Sequence, residues 1–321
     1  MMQPEIVALG EPLIEFSAID ETPLSKVKQF KRGFGGDTSN FVVAVSRLGG
    51  KAGYLTCLGN DEFAESFLGL WQKEGVDTRH IVTDSTAYTG MYFIARMGQK
   101  HNFTYLRQNS AASRMTPEFL PADYIRRARL LHISGISQCI STSACDTVFS
   151  AIAIAKEANV KISYDPNLRL KLWPIHRAKA IIHQTISMAD IVLPSIEDAQ
   201  ALNGKKSAEE IVQLYLDLGP EVVALKLGAE GSLLATREKT EDGLRLHVRK
   251  FEPFKVNSKD MTGAGDTFDG AFVVGYLAGW PLDRCMRFAN AAAALTTTEL
   301  GAVSPIPRLK SVEDLMAQQP I

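Results

Sequence analysis

Residues Asp260–Gly270 read DMTGAGDTFDG and run straight into AFVVGYLAGW, Ala271–Trp280. The apolar run predicts a buried helix, yet its mouth holds a Gly-Ala-Gly turn and a carboxylate, Asp266. Gly263 and Gly265 let backbone N–H groups turn inward at the first helical turn, where four such donors lack a partner inside the helix. A phosphate would satisfy them, aided by the helix dipole. Asp266 is open to two readings, a carboxylate that stabilises the helix N-terminus or a reactive group beside the bound anion.

Outward from this stretch the chain alternates. Short apolar runs, EIVALGE, GYLTCLG, LLHISGI, VKISYDP, DIVLPS and EVVALKLG, are separated by helix-period segments such as EFAESFLGLWQKEG, DTVFSAIAIAKEAN and SAEEIVQLYLDLG. That order predicts an α/β fold, a mostly parallel sheet covered by helices on both faces. Ligands of such sheets sit beyond the carboxyl ends of the strands, where GFGGDTSN, DPNLR, PSIED and TGAGD fall. Two regions, 12–34 and 86–110, break the alternation with strand-like pieces (IEFSAI, KQFKRGF, GMYFIAR, NFTYLRQ). They predict a small antiparallel sheet set apart as a lid.

Composition narrows the function classes. At 321 residues with 45% apolar and 22% charged content, the chain can bury a large core, and no linker or repeat divides it. It reads as one domain, 1–321, carrying the lid. A formal charge of −1 provides no field that would draw nucleic acid or an anionic membrane. Cys57, Cys139, Cys145 and Cys285 fit no zinc spacing and read as reduced thiols. The start MMQPEIVALG has no signal-like pattern, and no run approaches ~20 apolar residues, so the expectation is a cytoplasmic protein. Walker, dinucleotide G-x-G-x-x-G, zinc-protease and nucleophile-elbow motifs are all missing. His132 reads as a satisfied strand histidine.

The pairing of DMTGAGDTFDGA with an N-terminal counterpart, GGDTSNFVVAVSRLGG, gives the whole chain a resemblance to the ribokinase-like, or PfkB-type, carbohydrate kinases. The likeness runs from VALGE to GAVSPIP. It implies a three-layer α/β/α kinase in which Asp266 accepts the proton of the attacking sugar hydroxyl. The amides of Gly263, Ala264, Gly265 and Asp266 would form the anion hole for the transferred phosphoryl group, a reaction governed by positioning and charge. On the ATP side it places Lys226, Gly228 and Gly231 near ribose and phosphates and Asn290 near adenine, where a packing amide is the alternative. In PSIED, Ser195 and Asp198 stand where the family usually has Asn and Glu. Asp198 would hold Mg²⁺ through water. Asp260 and GAVSP resemble a K⁺ or other monovalent-cation site.

KRGFGGDTSN resembles 2-keto-3-deoxygluconate kinases, which implies that Gly36, Asp37 and Asn40 face the sugar. Alternation in NFTYLRQ puts Phe103, Tyr105 and Arg107 on one strand face. By the same likeness Tyr92, Tyr105, Arg107 and Arg169 contact the acid sugar, the two arginines clamping its carboxylate. YDPNLRLKLW also resembles fructokinases. The expected function is ATP-dependent phosphorylation of the C6 hydroxyl of 2-keto-3-deoxygluconate. Fructokinase or another neutral-sugar or nucleoside kinase is the alternative, and a non-catalytic sugar-binding regulator stands behind both. The expected partners are the sugar acid and ATP, with a homo-oligomer, a dimer through the lid, as the assembly.

Overall fold

The computed structural model describes residues 3–97, 100–240 and 243–320. In chain order the strands are β1 (Ile6–Leu9), β2 (Leu13–Ala18), β3 (Phe30–Gly35), β4 (Ala52–Leu55), β5 (Cys57–Gly59), β6 (Val82–Asp84) and β7 (Met91–Met97). They continue with β8 (Lys100–Leu106), β9 (Leu130–Ser134), β10 (Lys161–Asp165), β11 (Ile191–Val192), β12 (Val222–Lys226), β13 (Ser232–Thr240) and β14 (Gly243–Phe251).

Each apolar run expected to be a strand forms one, and six of these strands together with β13 and β14 build an eight-stranded sheet in the order β14-β13-β12-β11-β10-β9-β1-β4. From β4 to β12 every pairing is parallel. Burial on both faces explains why these strands are apolar throughout. In β1, Ile6 and Ala8 face one hydrophobic core, while Val7 and Leu9 face the other. The last two strands form an antiparallel hairpin at the sheet edge, which the alternating reading did not anticipate. Its outer strand, GLRLHVRKF, mixes basic and apolar residues because one side meets water.

The two lid regions form a separate four-stranded sheet, β3-β2-β7-β8. Each hairpin is antiparallel as expected, whereas the seam between β2 and β7 is parallel. The chain returns to β7 only after a long excursion through β4 and the helix Glu62–Glu74, and such a return permits parallel pairing. One face carries Phe16, Phe30 and Phe93, with Phe63 against Phe16 at 5.8 Å. The other carries Tyr92, Phe103 and Tyr105.

The two signature segments become neighbouring helices, Asp37–Arg47 and Ala264–Leu277. Gly270 is the reason they approach so closely. A Cβ there would stand 3.0 Å from Ala44 Cβ and 3.2 Å from Phe41 O, so only glycine leaves the backbones room. His132 lies beneath them as expected: its Nδ1 shares a hydrogen bond with Ser163 Oγ at 2.7 Å, and its ring stacks on Phe41. Burial lowers its pKa to about 3. All four cysteines are buried and free, and no helix among the described residues is long and apolar enough to cross a membrane.

Candidate active site

Gly263 caps the helix Ala264–Leu277 in the left-handed conformation, φ 78°. A side chain there would be strained and would press into Ala302 O, 2.6 Å from the Cβ position. The turn it makes leaves the amides of Gly265 and Asp266 with no acceptor among the described residues. Ala264 N, by contrast, donates to Met261 O at 3.2 Å, so this member of the expected anion hole is already engaged. Asp266 Oδ2 accepts a hydrogen bond from Asn40 Nδ2 at 2.7 Å, linking residues 226 apart in sequence. Burial pushes the Asp266 carboxyl up to about 7, and the nearby Asp37 charge adds to the shift. A carboxylate poised near neutrality beside free amides can accept a proton while an anion is held next to it.

Asp37 begins the other signature helix, held there by Gly36 at φ 96°, whose Cβ would stand 2.3 Å from Glu11 O. Its Oδ1 accepts from Thr38 N at 2.8 Å and its Oδ2 from Asn167 Nδ2 at 2.9 Å. Burial raises this carboxyl as well.

The aromatic face of the small sheet closes the opposite side. Tyr92 is buried and donates its hydroxyl hydrogen bond to Glu15, while Tyr105 stays 38% exposed. Arg107 follows on the same face, its guanidinium 5.5 Å from the Tyr105 ring. It forms a buried ion pair with Glu11, a residue that sequence reading passed over, and Ser110 Oγ donates to the same carboxylate at 2.9 Å. Arg107 Nε is buried and has no partner among the described residues. Arg169 differs: its side chain is 45% exposed, it donates to its neighbour's carbonyl, Leu168 O, at 2.8 Å, and Asp198 lies 3.9 Å away.

On the remaining side Ser195 caps the helix Ile196–Asn203, accepting from Asp198 N at 3.1 Å. That bond explains why a serine suits the position. Asp198 Oδ2 accepts from Leu168 N, and its carboxyl is raised by burial with Arg169 opposing. Its other oxygen has no hydrogen-bond partner among the described residues, and with its partial exposure this fits a hard cation held through water. Gly228 and Gly231, at φ 60° and 88°, make the turn between β12 and β13. Asn290 is 7% exposed and donates to Glu252 O at 3.4 Å. Asp260 staples its loop: Oδ1 accepts from Thr262 N and Oγ1, and Oδ2 from Gly301 N. Both oxygens serve protein donors, so the carboxylate fits loop closure better than a monovalent-cation site.

Lys226 does not point outward. Its amine lies between Asp165 and Asp269, at 3.1 and 2.9 Å. Neither acid was singled out from sequence, although a carboxylate inside the apolar run FDGAF and the Asp-Pro-Asn turn were visible signals.

A three-layer α/β/α sheet with a carboxylate at a glycine-turned helix start, and a small sheet facing it, defines a phosphotransferase acting on a small polar substrate. The profile of the pfkB family carbohydrate kinases matches residues 3–309, and the chain belongs to that family. It is 32% identical over 318 residues to 2-dehydro-3-deoxygluconokinase of Thermoproteus tenax, covering 97% of this chain and 94% of the relative. To probable fructokinase-2 of Arabidopsis thaliana it is 35% identical over 317 residues, covering 94% and 92%. The fold superposes on an E. coli protein solved with ATP and Mg²⁺ with a TM-score of 0.89 at 26% identity, covering 98% of this chain and 100% of the other. It is also similar to a Vibrio cholerae fructokinase solved with fructose, ADP and calcium, with a TM-score of 0.84 at 25% identity, covering 98% and 99%.

Proposed function

We propose that this carbohydrate kinase transfers the γ-phosphoryl group of ATP to the C6 hydroxyl of a sugar acid, 2-keto-3-deoxygluconate. Asp266 accepts the hydroxyl proton, and the amides of Gly263, Gly265 and Asp266 hold the transferred group. Asn40 orients the base, Asp37 and Gly36 face the sugar hydroxyls, and Asp198 carries Mg²⁺ through water. Mg²⁺ would neutralise charge on the phosphates. The small sheet acts as the lid.

The observation that carries the acid reading is Arg169, an accessible guanidinium near Tyr105 whose one hydrogen bond among the described residues is to its neighbour's carbonyl. Arg107 brings a second, partly committed cation, with Nε left over once Glu11 is satisfied. A coupled ADP-release assay with ketodeoxygluconate and fructose on wild type, Arg169→Ala and Arg107→Ala tests it. A charge-assisted hydrogen bond of about 1.5–3 kcal/mol predicts that Arg169→Ala raises KM for the acid about 10- to 150-fold and for fructose little. Equal losses for both sugars, or wild-type preference for fructose, would overturn the acid assignment and leave the kinase standing. The second reading, fructokinase, is favoured by the Glu11–Arg107 pair: an arginine neutralised internally is poorly placed to draw a substrate anion.

A further inference from the structure

Beneath the Gly263–Asp266 turn three charged side chains meet in a nearly water-free pocket. Lys226 Nζ donates to Asp165 Oδ2 at 3.1 Å and to Asp269 Oδ1 at 2.9 Å, with side-chain exposures of 12%, 8% and 1% for Lys226, Asp165 and Asp269. The amine also lies 3.6 Å from the point where a Cβ on Gly265 would stand, directly against the turn whose amides are free. Asp269 follows Asp266 by three residues, one turn deeper on the same side of the helix. Asp165 ends β10 and Lys226 ends β12, so two strands of the main sheet aim this charge at the helix start.

A purely stabilising role accounts poorly for the cluster. Buried ion pairs roughly break even against apolar packing, because desolvation offsets the attraction. Two carboxylates on one ammonium would also leave an uncompensated buried charge. Burial drives the Asp269 carboxyl well up, with Asp165 reinforcing the shift and Lys226 opposing it.

We propose that Lys226, clamped by Asp165 and Asp269, is a positioning residue that fixes a positive charge under the first-turn amides, where it acts on both Asp266 and the transferred phosphoryl group. In so dry a setting a single fixed charge acts strongly across a few ångströms. The groups facing Asp266 are Asp37 and Asn40 from the helix Asp37–Arg47, Asp165 from β10 and Lys226 from β12, and two of the three charges are acids. Lys226 is the one cation among them.

The inference rests on Asp266 being the base, so Asp266→Asn is the control: near-normal turnover in that variant fails the base reading itself. Given a dead Asp266→Asn, Lys226→Met should lower kcat roughly 10- to 100-fold, less than the loss of a direct oxyanion donor. It should also move the acid limb of kcat/KM to higher pH, with sugar KM little changed. An unmoved limb would remove the claim about Asp266. Lys226→Met leaves Asp165 unpaired, so the charge-balanced double variant Lys226→Met/Asp165→Asn is measured alongside; the amide oxygen it introduces can still accept from Asn167 N, as Asp165 Oδ1 does. Its acid limb should return toward wild type, because one raising and one lowering charge are removed together, while kcat stays low. Wild-type kcat, within about threefold, in the folded double variant would reduce the cluster to a structural ion pair and overturn the proposal.

Discussion

At Asp266, function and stability oppose each other. Its carboxyl titrates near 7 when folded, against 3.8 for an ordinary aspartate. Between those values the folded state binds the proton and the unfolded state does not, so stability falls as pH rises and the full penalty is present above about pH 7. Asp266→Asn should accordingly raise Tm at pH 8, by a few degrees or roughly one to two kcal/mol, with the gain shrinking as pH is lowered toward about 5. Differential scanning calorimetry across that range checks it, and a Tm gain independent of pH would show that Asp266 carries no such penalty. Asp37 contributes the second largest push after burial. Asp37→Asn should therefore move the acid limb of kcat/KM to lower pH, whatever it does to sugar KM. The two acids are close enough that the limb belongs to the pair.

At the scale of elements, the site depends on how helices are tied to loops. Arg47, the last residue of the helix Asp37–Arg47, donates to Glu74 through Nε and Nη2 at 3.1 and 2.8 Å. Its Nη1 reaches the carbonyls of Val303 and Ile306 at 2.9 and 2.7 Å. One guanidinium thus ties the first signature helix to the loop whose Ala302 backs Gly263 and whose Gly301 is held by Asp260. Glu74 is lowered chiefly by its hydrogen bond from Arg47, which marks the pair as formed in the folded state. Arg47→Ala should cost about 1–3 kcal/mol, since it leaves two carbonyls unsatisfied and the buried Glu74 carboxylate with only Arg308, at 3.3 Å. Urea denaturation measures the loss. A change under about 1 kcal/mol would mean that water replaces the arginine without penalty.

Across the whole molecule the question is what covers the small sheet. Its Phe16, Phe30 and Phe93 face is only partly filled by Phe63, and Ile19 stands 61% exposed at its end. A four-stranded sheet with apolar residues on both faces is poorly stable unless each finds cover. We propose that closure over the sugar covers the substrate side and that the corresponding sheet of a second subunit covers the outer side. Light scattering should find a dimer, and sugar should protect 12–34 and 86–110 from hydrogen exchange. A monomer whose lid exchanges at the same rate with and without sugar would remove both parts of the expectation.

The sequence by itself determined the main sheet, because parallel strands buried on both faces must be continuously apolar and are written as such between helix-period segments. It also determined the turn at Gly263–Asp266, since that geometry depends on local backbone freedom and the amides of one helical turn. The β13–β14 hairpin was not legible, because an edge strand alternates polar and apolar residues as an exposed helix or loop can. Only the tertiary structure decided the partners. Asn40 finds Asp266, Asn167 finds Asp37, Glu11 takes up Arg107, and Lys226 turns inward between Asp165 and Asp269. Each joins residues far apart in the chain through charge or hydrogen bonding. Such pairs have no sequence period, and side-chain type alone does not say which buried acid a given cation will meet.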